Sequence, residues 1–114
     1  MTDREEVLRK ARELGETLRK SDEYKELMNA QKELDEDTEV QEMIKKYDVK
    51  RNELQMKQMT GQNVDEELTE LTEMEGKIMG RESMKKYAEA EEKFKNLVDE
   101  ANQEIVKAME EQDS

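Results

Sequence analysis

The acidic run DEDTE, residues 35–39, is the stretch whose side chains could hold a metal ion. Its acids alternate in the way that a helix-loop-helix calcium site requires. A calcium loop that began at Asp35 would need glycine at its sixth position and a bidentate Glu at its twelfth, and the chain has Val40 and Lys46 there. We therefore interpret the run as a solvated turn between helices and expect no metal or other cofactor.

Catalytic side chains are scarce in this sequence. The chain has no His and no Cys, which excludes the commonest general base, a thiol nucleophile, disulfide bonds and cysteine-ligated clusters. Its four glycines, at positions 15, 61, 76 and 80, do not form a phosphate-binding loop. We expect a protein without enzymatic activity. A carboxylate metal enzyme stays as an alternative, which stoichiometric metal in the purified protein would support.

The formal net charge of -12 disfavours direct binding to nucleic acid, because an acidic molecule repels phosphate backbones. A modest basic cluster surrounds Tyr47 and comprises Lys45, Lys46, Lys50 and Arg51. Tyr47 lies on the apolar stripe of its helix, which favours a core position over a base-stacking one.

The chain begins MTDREEVLRK, which lacks the apolar segment of a signal peptide. No apolar run approaches the ~20 residues that a membrane span needs. We expect a cytoplasmic protein with no membrane contact and no small-molecule substrate.

The elements that must position these side chains are helices. Proline is absent, and Ala, Glu, Lys, Leu and Arg make up just over half of the chain, a composition typical of long helices. Apolar residues recur at steps of three and four along five segments: Val7 to Leu18, Tyr24 to Leu34, Val40 to Leu54, Val64 to Ile78, and Tyr87 to Met109. The pattern predicts an all-α fold, an elongated antiparallel bundle of about four to five helices. We expect one domain over residues 1–114, with residues 110–114 as an acidic tail.

Short polar signals predict where these helices start and end. Ser21 fits the N-cap of the second helix, and Thr38 with Gln41 fits a capping box for a third helix of roughly 22 residues. Gly61 is expected to take the left-handed conformation after the third helix. Asn63 is expected to cap the fourth helix.

The last apolar stripe is about as long as the first two helices together. Short partners in the same chain cannot cover so long a stripe, so we expect a homo-oligomer, either a dimer or a larger assembly.

Lys85 and Lys86 place positive charge in the first turn of the fifth helix. They leave open whether the fourth and fifth helices are separate or form one kinked helix.

The stretch LQMKQMTGQNV, residues 54–64, carries a single charge in a chain where 46% of residues are charged. We interpret it as a turn whose surface contacts another copy or a partner protein. Methionines at helical spacing also fill cores, which is the second interpretation. The predicted contact residues in this stretch and in the fifth helix are Met56, Gln58, Met59, Gly61, Tyr87, Phe94 and Val98.

Charge is unevenly spread along the middle of the chain. Residues 62–76 include six acidic side chains and no basic one, whereas residues 40–59 have an excess of basic side chains. In one interpretation the two helices complement each other across a hairpin, with little stabilisation from each exposed pair. In the other, the acidic helix meets a basic partner surface through Asp65, Glu66, Glu70 and Glu73.

The order SDEYKELMNAQKELDEDTEVQEMIKKYDVKRNELQMKQMTGQ, followed by SMKKYAEAEEKFKNLVDEANQEIVKAM, resembles the YlbF/YmcA family, which includes YheA-like proteins. The resemblance covers Glu6 to Met109. It implies an all-helical, oligomeric, cytoplasmic regulator without enzymatic activity. Relatives associate with one another and with ribonuclease Y and alter messenger-RNA processing.

One property of the family does not extend to this chain, and one alternative function stays open. Some relatives bind iron-sulfur clusters through cysteines, and this property does not transfer to a chain that has no Cys. The alternative to a regulatory adaptor is a helical holdase, or a purely structural module without a dedicated signalling partner.

Overall fold

The computed structural model describes residues 3–111, and all regular secondary structure in that range is α-helical. The five helices are α1 (Asp3–Arg19), α2 (Asp22–Glu36), α3 (Thr38–Met59), α4 (Asp65–Met79) and α5 (Glu82–Glu111). The predicted all-α fold is confirmed, and α4 and α5 are separate helices. Glu110 and Glu111 belong to α5, whereas the rest of the predicted tail, residues 112–114, lies outside the described residues.

Ser21 caps α2 as predicted. Its hydroxyl oxygen accepts the backbone N–H of Tyr24 at 3.1 Å and its hydroxyl donates to the carbonyl of Leu18 at 2.6 Å. One side chain thus caps the start of α2 and also bonds to the end of α1, where the Leu18 carbonyl accepts the Ser21 backbone N–H as well.

The predicted capping box of α3 is wrong by one residue. Asp37 is the N-cap, with its carboxylate accepting the backbone N–H of Val40 at 3.2 Å, and Thr38 is the first residue of the helix. The Gln41 side chain donates instead to the carbonyl of Leu34 at 2.9 Å. A carboxylate at this position gains from the positive end of the helix dipole, which a Thr hydroxyl does not.

The turn between α3 and α4 is built around Gly61. This residue has φ 76°, and it is the one glycine with positive φ among the described residues, as predicted. The N–H of Gly61 donates to the carbonyl of Gln58, and the N–H of Gln62 donates to the carbonyl of Lys57, which together form a Schellman motif.

The start of α4 differs from the prediction. Val64, not Asn63, is the N-cap, and it makes no side-chain capping bond. The Asn63 side chain accepts the N–H of Asp65 at 3.0 Å from the position before the cap. Val64 is buried in the core. Apolar packing therefore holds Val64 at the N-cap position, where a polar capping side chain is usual.

The described chain divides into two compact units. The central unit is residues 30–87. The terminal unit is the described residues up to Asn29 and those from Ala88 onward. Helices α2 and α5 contribute residues to both units.

The central unit contains an antiparallel α3–α4 hairpin. Leu54, Val64 and Leu71 form its core cluster, and the half-buried ring of Tyr47 packs against them. Tyr47 therefore lies against the core and is partly buried. Leu68, which shares the predicted stripe of α4, is exposed, whereas Leu71 on the same helix packs with Leu54 of α3.

The terminal unit has little buried surface of its own. Ala90 is its one buried residue among those described, and α1 has none. The Tyr24 and Phe94 rings meet edge to face with centroids 5.4 Å apart, and Lys93 pairs with Glu26 at 3.7 Å. These contacts join α2 to α5. Helix α5 has 30 residues, against 17 in α1 and 15 in α2, as the length of its stripe predicted.

Candidate protein-interaction surfaces

The hairpin tip, residues 55–63, carries four of the predicted contact residues. Leu54 and Val64 at either side of it are buried, whereas Met56 and Met59 are 70% and 86% exposed. Gln58 and Gly61 are also exposed. The stretch at residues 54–64, with its single charge, therefore has two buried ends and two exposed methionines between them.

Hydrogen bonds order this tip. The Thr60 hydroxyl donates to the carbonyl of Lys57 at 3.0 Å and accepts the amide of Gln62 at 3.0 Å. Together with the Schellman motif, they fix the backbone that presents the two methionine side chains. An ordered backbone lowers the entropy lost when a partner binds.

The other three predicted contact residues lie on α5 and are half-buried. Tyr87 belongs to the central unit, and Phe94 and Val98 belong to the terminal unit. Phe94 packs on Tyr24, so part of its ring is already used within its own unit.

The acidic helix α4 turns part of its charge toward α3. Lys57 bonds to Glu67 at 3.0 Å, and Lys50 pairs with Glu70. The carboxylate of Glu70 raises the pKa of Lys50, and the pKa of Glu67 is lowered, first by a backbone hydrogen bond and then by Lys57. These pairs confirm the predicted charge complementarity across the hairpin.

The rest of the predicted acidic face points to solvent. Asp65, Glu66 and Glu73 are exposed, and their carboxylates make no ion pair within residues 3–111. Glu66 and Glu73 are seven residues apart, two helical turns, and so lie on the same side of α4. Glu70, by contrast, is engaged with Lys50.

A groove in the central unit has no counterpart in the predicted sites. It has a volume of about 510 Å³ and is lined by Ile44, Tyr47, Asp48, Glu75, Ile78, Met79 and Met84. The Tyr47 hydroxyl donates to the Glu75 carboxylate, and this bond raises the pKa of Tyr47. The sequence signal for this groove was the adjacent apolar pair Ile78 and Met79, because two neighbouring helix residues do not lie on the same side of the helix. In the structure Ile78 is buried and Met79 is exposed.

A polar cluster joins the start of α3 to the start of α5. The Ser83 hydroxyl donates to Asp37 at 2.7 Å, and Arg81 pairs with Glu39. The bond from Ser83, followed by that from the Val40 N–H, lowers the pKa of Asp37. Asp37 therefore caps one helix and anchors another.

The described residues therefore present an exposed apolar tip, an acidic helix surface and an apolar groove. No group of three or more acidic side chains between residues 3 and 111 is placed to hold a metal ion. Within the same range no helix is both long and apolar enough to cross a membrane.

These features place the chain among small all-helical proteins with exposed apolar and acidic surfaces. The chain belongs to the YlbF/YmcA family, because residues 7–110 match the family described as "Control of competence regulator ComK, YlbF/YmcA". The family is of a regulatory type.

Relatives from several bacteria are similar over most of the chain. The UPF0342 protein of Staphylococcus saprophyticus is 31% identical over 102 residues, which cover 89% of this chain and 90% of the relative. The UPF0342 protein of Bacillus pumilus is 33% identical over 103 residues, covering 89% and 86%. The UPF0342 protein YheA of Bacillus subtilis is 30% identical over 102 residues, covering 89% and 87%. No solved structure matches the chain.

Proposed function

We propose that this chain is a non-enzymatic regulatory adaptor that self-associates and binds ribonuclease Y, and thereby affects messenger-RNA processing. Family membership supports a regulatory role, and the resemblance to proteins that associate with ribonuclease Y supports the partner. The observation that carries the proposal is the hairpin tip, where Met56 and Met59 are exposed at the end of α3, next to the ordered turn at Gly61.

The tip fits a protein contact for physical reasons. Methionine side chains are flexible and polarizable, so they adapt to apolar pockets of irregular shape. Burying both would remove a large apolar area from water, at roughly 25 cal/mol for each Å². The exposed carboxylates of Glu66 and Glu73 on α4 would favour a partner that also carries basic side chains.

The test is direct binding of purified ribonuclease Y to the full chain. We expect Met56→Ser combined with Met59→Ser to weaken binding by about tenfold or more, because each lost anchor costs at least about 1 kcal/mol. Val49→Ser is the matched control, since Val49 lies on the same helix, is 58% exposed and stands outside the tip. Equal binding by the tip variant and the control, or no binding by the wild-type chain, would overturn the proposal.

A helical holdase is the second proposal, and the apolar exposure of the terminal unit favours it. Val7, Leu8, Ile105, Val106 and Met109 are all exposed there. A holdase of this kind would suppress aggregation of an unrelated denatured protein at a near-stoichiometric ratio. Aggregation that is unchanged by the chain would remove this proposal.

A further inference from the structure

One flank of α1 combines apolar and basic side chains. We call it the basic row, and its members are Arg4, Leu8, Arg12, Gly15 and Arg19. Steps of four, four, three and four place them on one side of the helix. All five are exposed, and no acidic residue interrupts the row. No atom lies within 4 Å of the position that a Cβ on Gly15 would take, so the row is open at Gly15.

One flank of α5 has the opposite charge. We call it the acidic row, and its members are Asp99, Asn102, Val106, Met109 and Glu110. All are exposed, and they lie on one side of the helix near its C-terminal end. No basic residue interrupts this row. A shallow groove with a volume of about 420 Å³ runs along Asn102, Gln103, Val106 and Lys107 beside it.

The charges of both rows are uncompensated within residues 3–111. The guanidinium groups of Arg12 and Arg19 make no ion pair there, nor do the carboxylates of Asp99 and Glu110. The basic row is about 22 Å long and the acidic row about 16 Å, at 1.5 Å per residue, so one helix can lie along the other. Leu8, Val106 and Met109 would supply the apolar part of such a contact.

We propose that the terminal unit docks onto the terminal unit of a second copy, with the basic row of each chain against the acidic row of the other. This inference rests on the self-association in the proposed function and names its surface. A two-fold arrangement makes the row-to-row contact twice, because each copy carries both halves. The apolar side chains of both rows are buried in the contact, and the arginine side chains of one row face the carboxylates of the other.

A second copy is the occupant that the charges favour. Any other partner would need to supply an acidic helix for α1 and a basic helix for α5, whereas a second copy carries both. The terminal unit also has a single buried residue, Ala90, beside exposed apolar residues on both long helices.

A charge swap between copies tests the proposal. The first variant is Arg12→Glu with Arg19→Glu, which makes both rows acidic. The second is Asp99→Arg with Glu110→Arg, which makes both rows basic. In sedimentation velocity of the full chain at low salt, each variant alone should dissociate about tenfold or more readily than the wild type, because like charges face each other.

An equimolar mixture of the two variants should form mixed dimers as stable as those of the wild type. In the mixed dimer, acidic rows meet basic rows at both contacts. This rescue also guards against misfolding, because a misfolded variant would not recover its association in the mixture. The control is Glu42→Arg with Glu53→Arg on α3, a reversal of the same size at two exposed acids outside the rows, which should leave self-association within about twofold.

The proposal is overturned if either variant associates like the wild type, if the mixture forms no mixed dimer, or if the wild-type chain is monomeric at every concentration. Failure of the row-to-row contact can be distinguished by experiment from failure of the proposed adaptor function. If the row variants self-associate as the wild type does, and the chain still binds ribonuclease Y, only the row-to-row contact is overturned. Loss of ribonuclease Y binding in the tip variant, with dimers intact, concerns the adaptor role alone.

Discussion

The central and terminal units are built from similar amphipathic helices, yet their apolar residues have different environments. Of the eight buried apolar residues in the described chain, seven lie in the central unit and one, Ala90, lies in the terminal unit. The terminal unit exposes Val7, Leu8, Met28, Ile105, Val106 and Met109. An apolar stripe therefore predicts which side of a helix can be buried, and a packing partner decides whether it is.

The turn at Gly61 accounts for much of this difference. It folds α4 back along α3, so that Leu54, Val64 and Leu71 meet within one unit. Most of the stability of a protein helix comes from such packing and not from helix propensity. Helix α1, which has no buried residue, lacks this contribution within the described chain.

The largest effect is expected from a leucine in the central core. Leu54→Ala should lower the free energy of unfolding by about 2 to 5 kcal/mol, because Leu54 is 5% exposed and its removal leaves a cavity against Val64 and Leu71. Urea denaturation, with the midpoint and slope fitted together, gives this change.

The matched control is a leucine in the terminal unit. Leu8 is 49% exposed, and Leu8→Ala should change the free energy of unfolding by no more than about 0.5 kcal/mol. The measurement belongs at the lowest practical protein concentration, where association of copies contributes least. Similar losses in the two variants would contradict the difference between the units.

The next effect is expected at the turn that forms the hairpin. Gly61→Val should lower the free energy of unfolding by about 1 to 2 kcal/mol, because a side chain at φ 76° strains the backbone. No atom lies within 4 Å of the position that a Cβ would take, so the cost comes from the backbone and not from a clash.

A second glycine in the same hairpin should respond with the opposite sign. Gly76 lies inside α4, and a Cβ there also meets open space. Gly76→Ala should raise the free energy of unfolding by about 0.5 to 1 kcal/mol, since Ala loses less conformational freedom than Gly in a helix. Thermal and urea unfolding of both variants would test the pair. A stable Gly61→Val variant would mean that the turn is not left-handed at this residue.

The elements that could be predicted from sequence depend on short-range patterns. Stripes of apolar residues predicted about four to five helices, and one glycine in a stretch with a single charge predicted the left-handed turn at Gly61. The start of α3 was harder, because DEDTE offers several capping residues within one turn and only the path of the chain selects Asp37.

The surfaces depended on which side of each helix meets its neighbour. Helix α4 carries two adjacent apolar stripes, and packing against α3 buries Leu71 and Ile78 while it leaves Leu68 and Met79 exposed. The same packing engages Glu70 with Lys50 and leaves Glu66 and Glu73 in solvent. Sequence could name these residues, but only the inter-helix contact separates the paired carboxylates from the unpaired ones.

The smallest effect is expected from the polar cluster of the central unit, which depends on pH. Asp37 accepts bonds from the Ser83 hydroxyl and the Val40 N–H, and these bonds lower its pKa from the ordinary value of 3.8. A carboxyl whose pKa is lower in the folded state stabilises that state fully above its unfolded pKa, and the contribution is lost as pH falls through the folded pKa. Stability should therefore decline below the ordinary value of 3.8, by an amount that depends on Asp37.

The variant Asp37→Asn retains a helix-capping side chain and removes its negative charge. Asparagine retains an acceptor for the Val40 N–H and does not titrate, so the melting temperature at neutral pH should fall only slightly. Between about pH 5 and pH 2, the melting temperature of this variant should fall less than that of the wild type, because one proton-linked loss has been removed. Asp35→Asn is the control, since Asp35 is an exposed acid two residues away, and this variant should keep the acid response of the wild type. If Asp37→Asn retains the full acid response, or Asp35→Asn loses it, the link between α3 and α5 through Asp37 does not contribute to the stability that distinguishes the central unit.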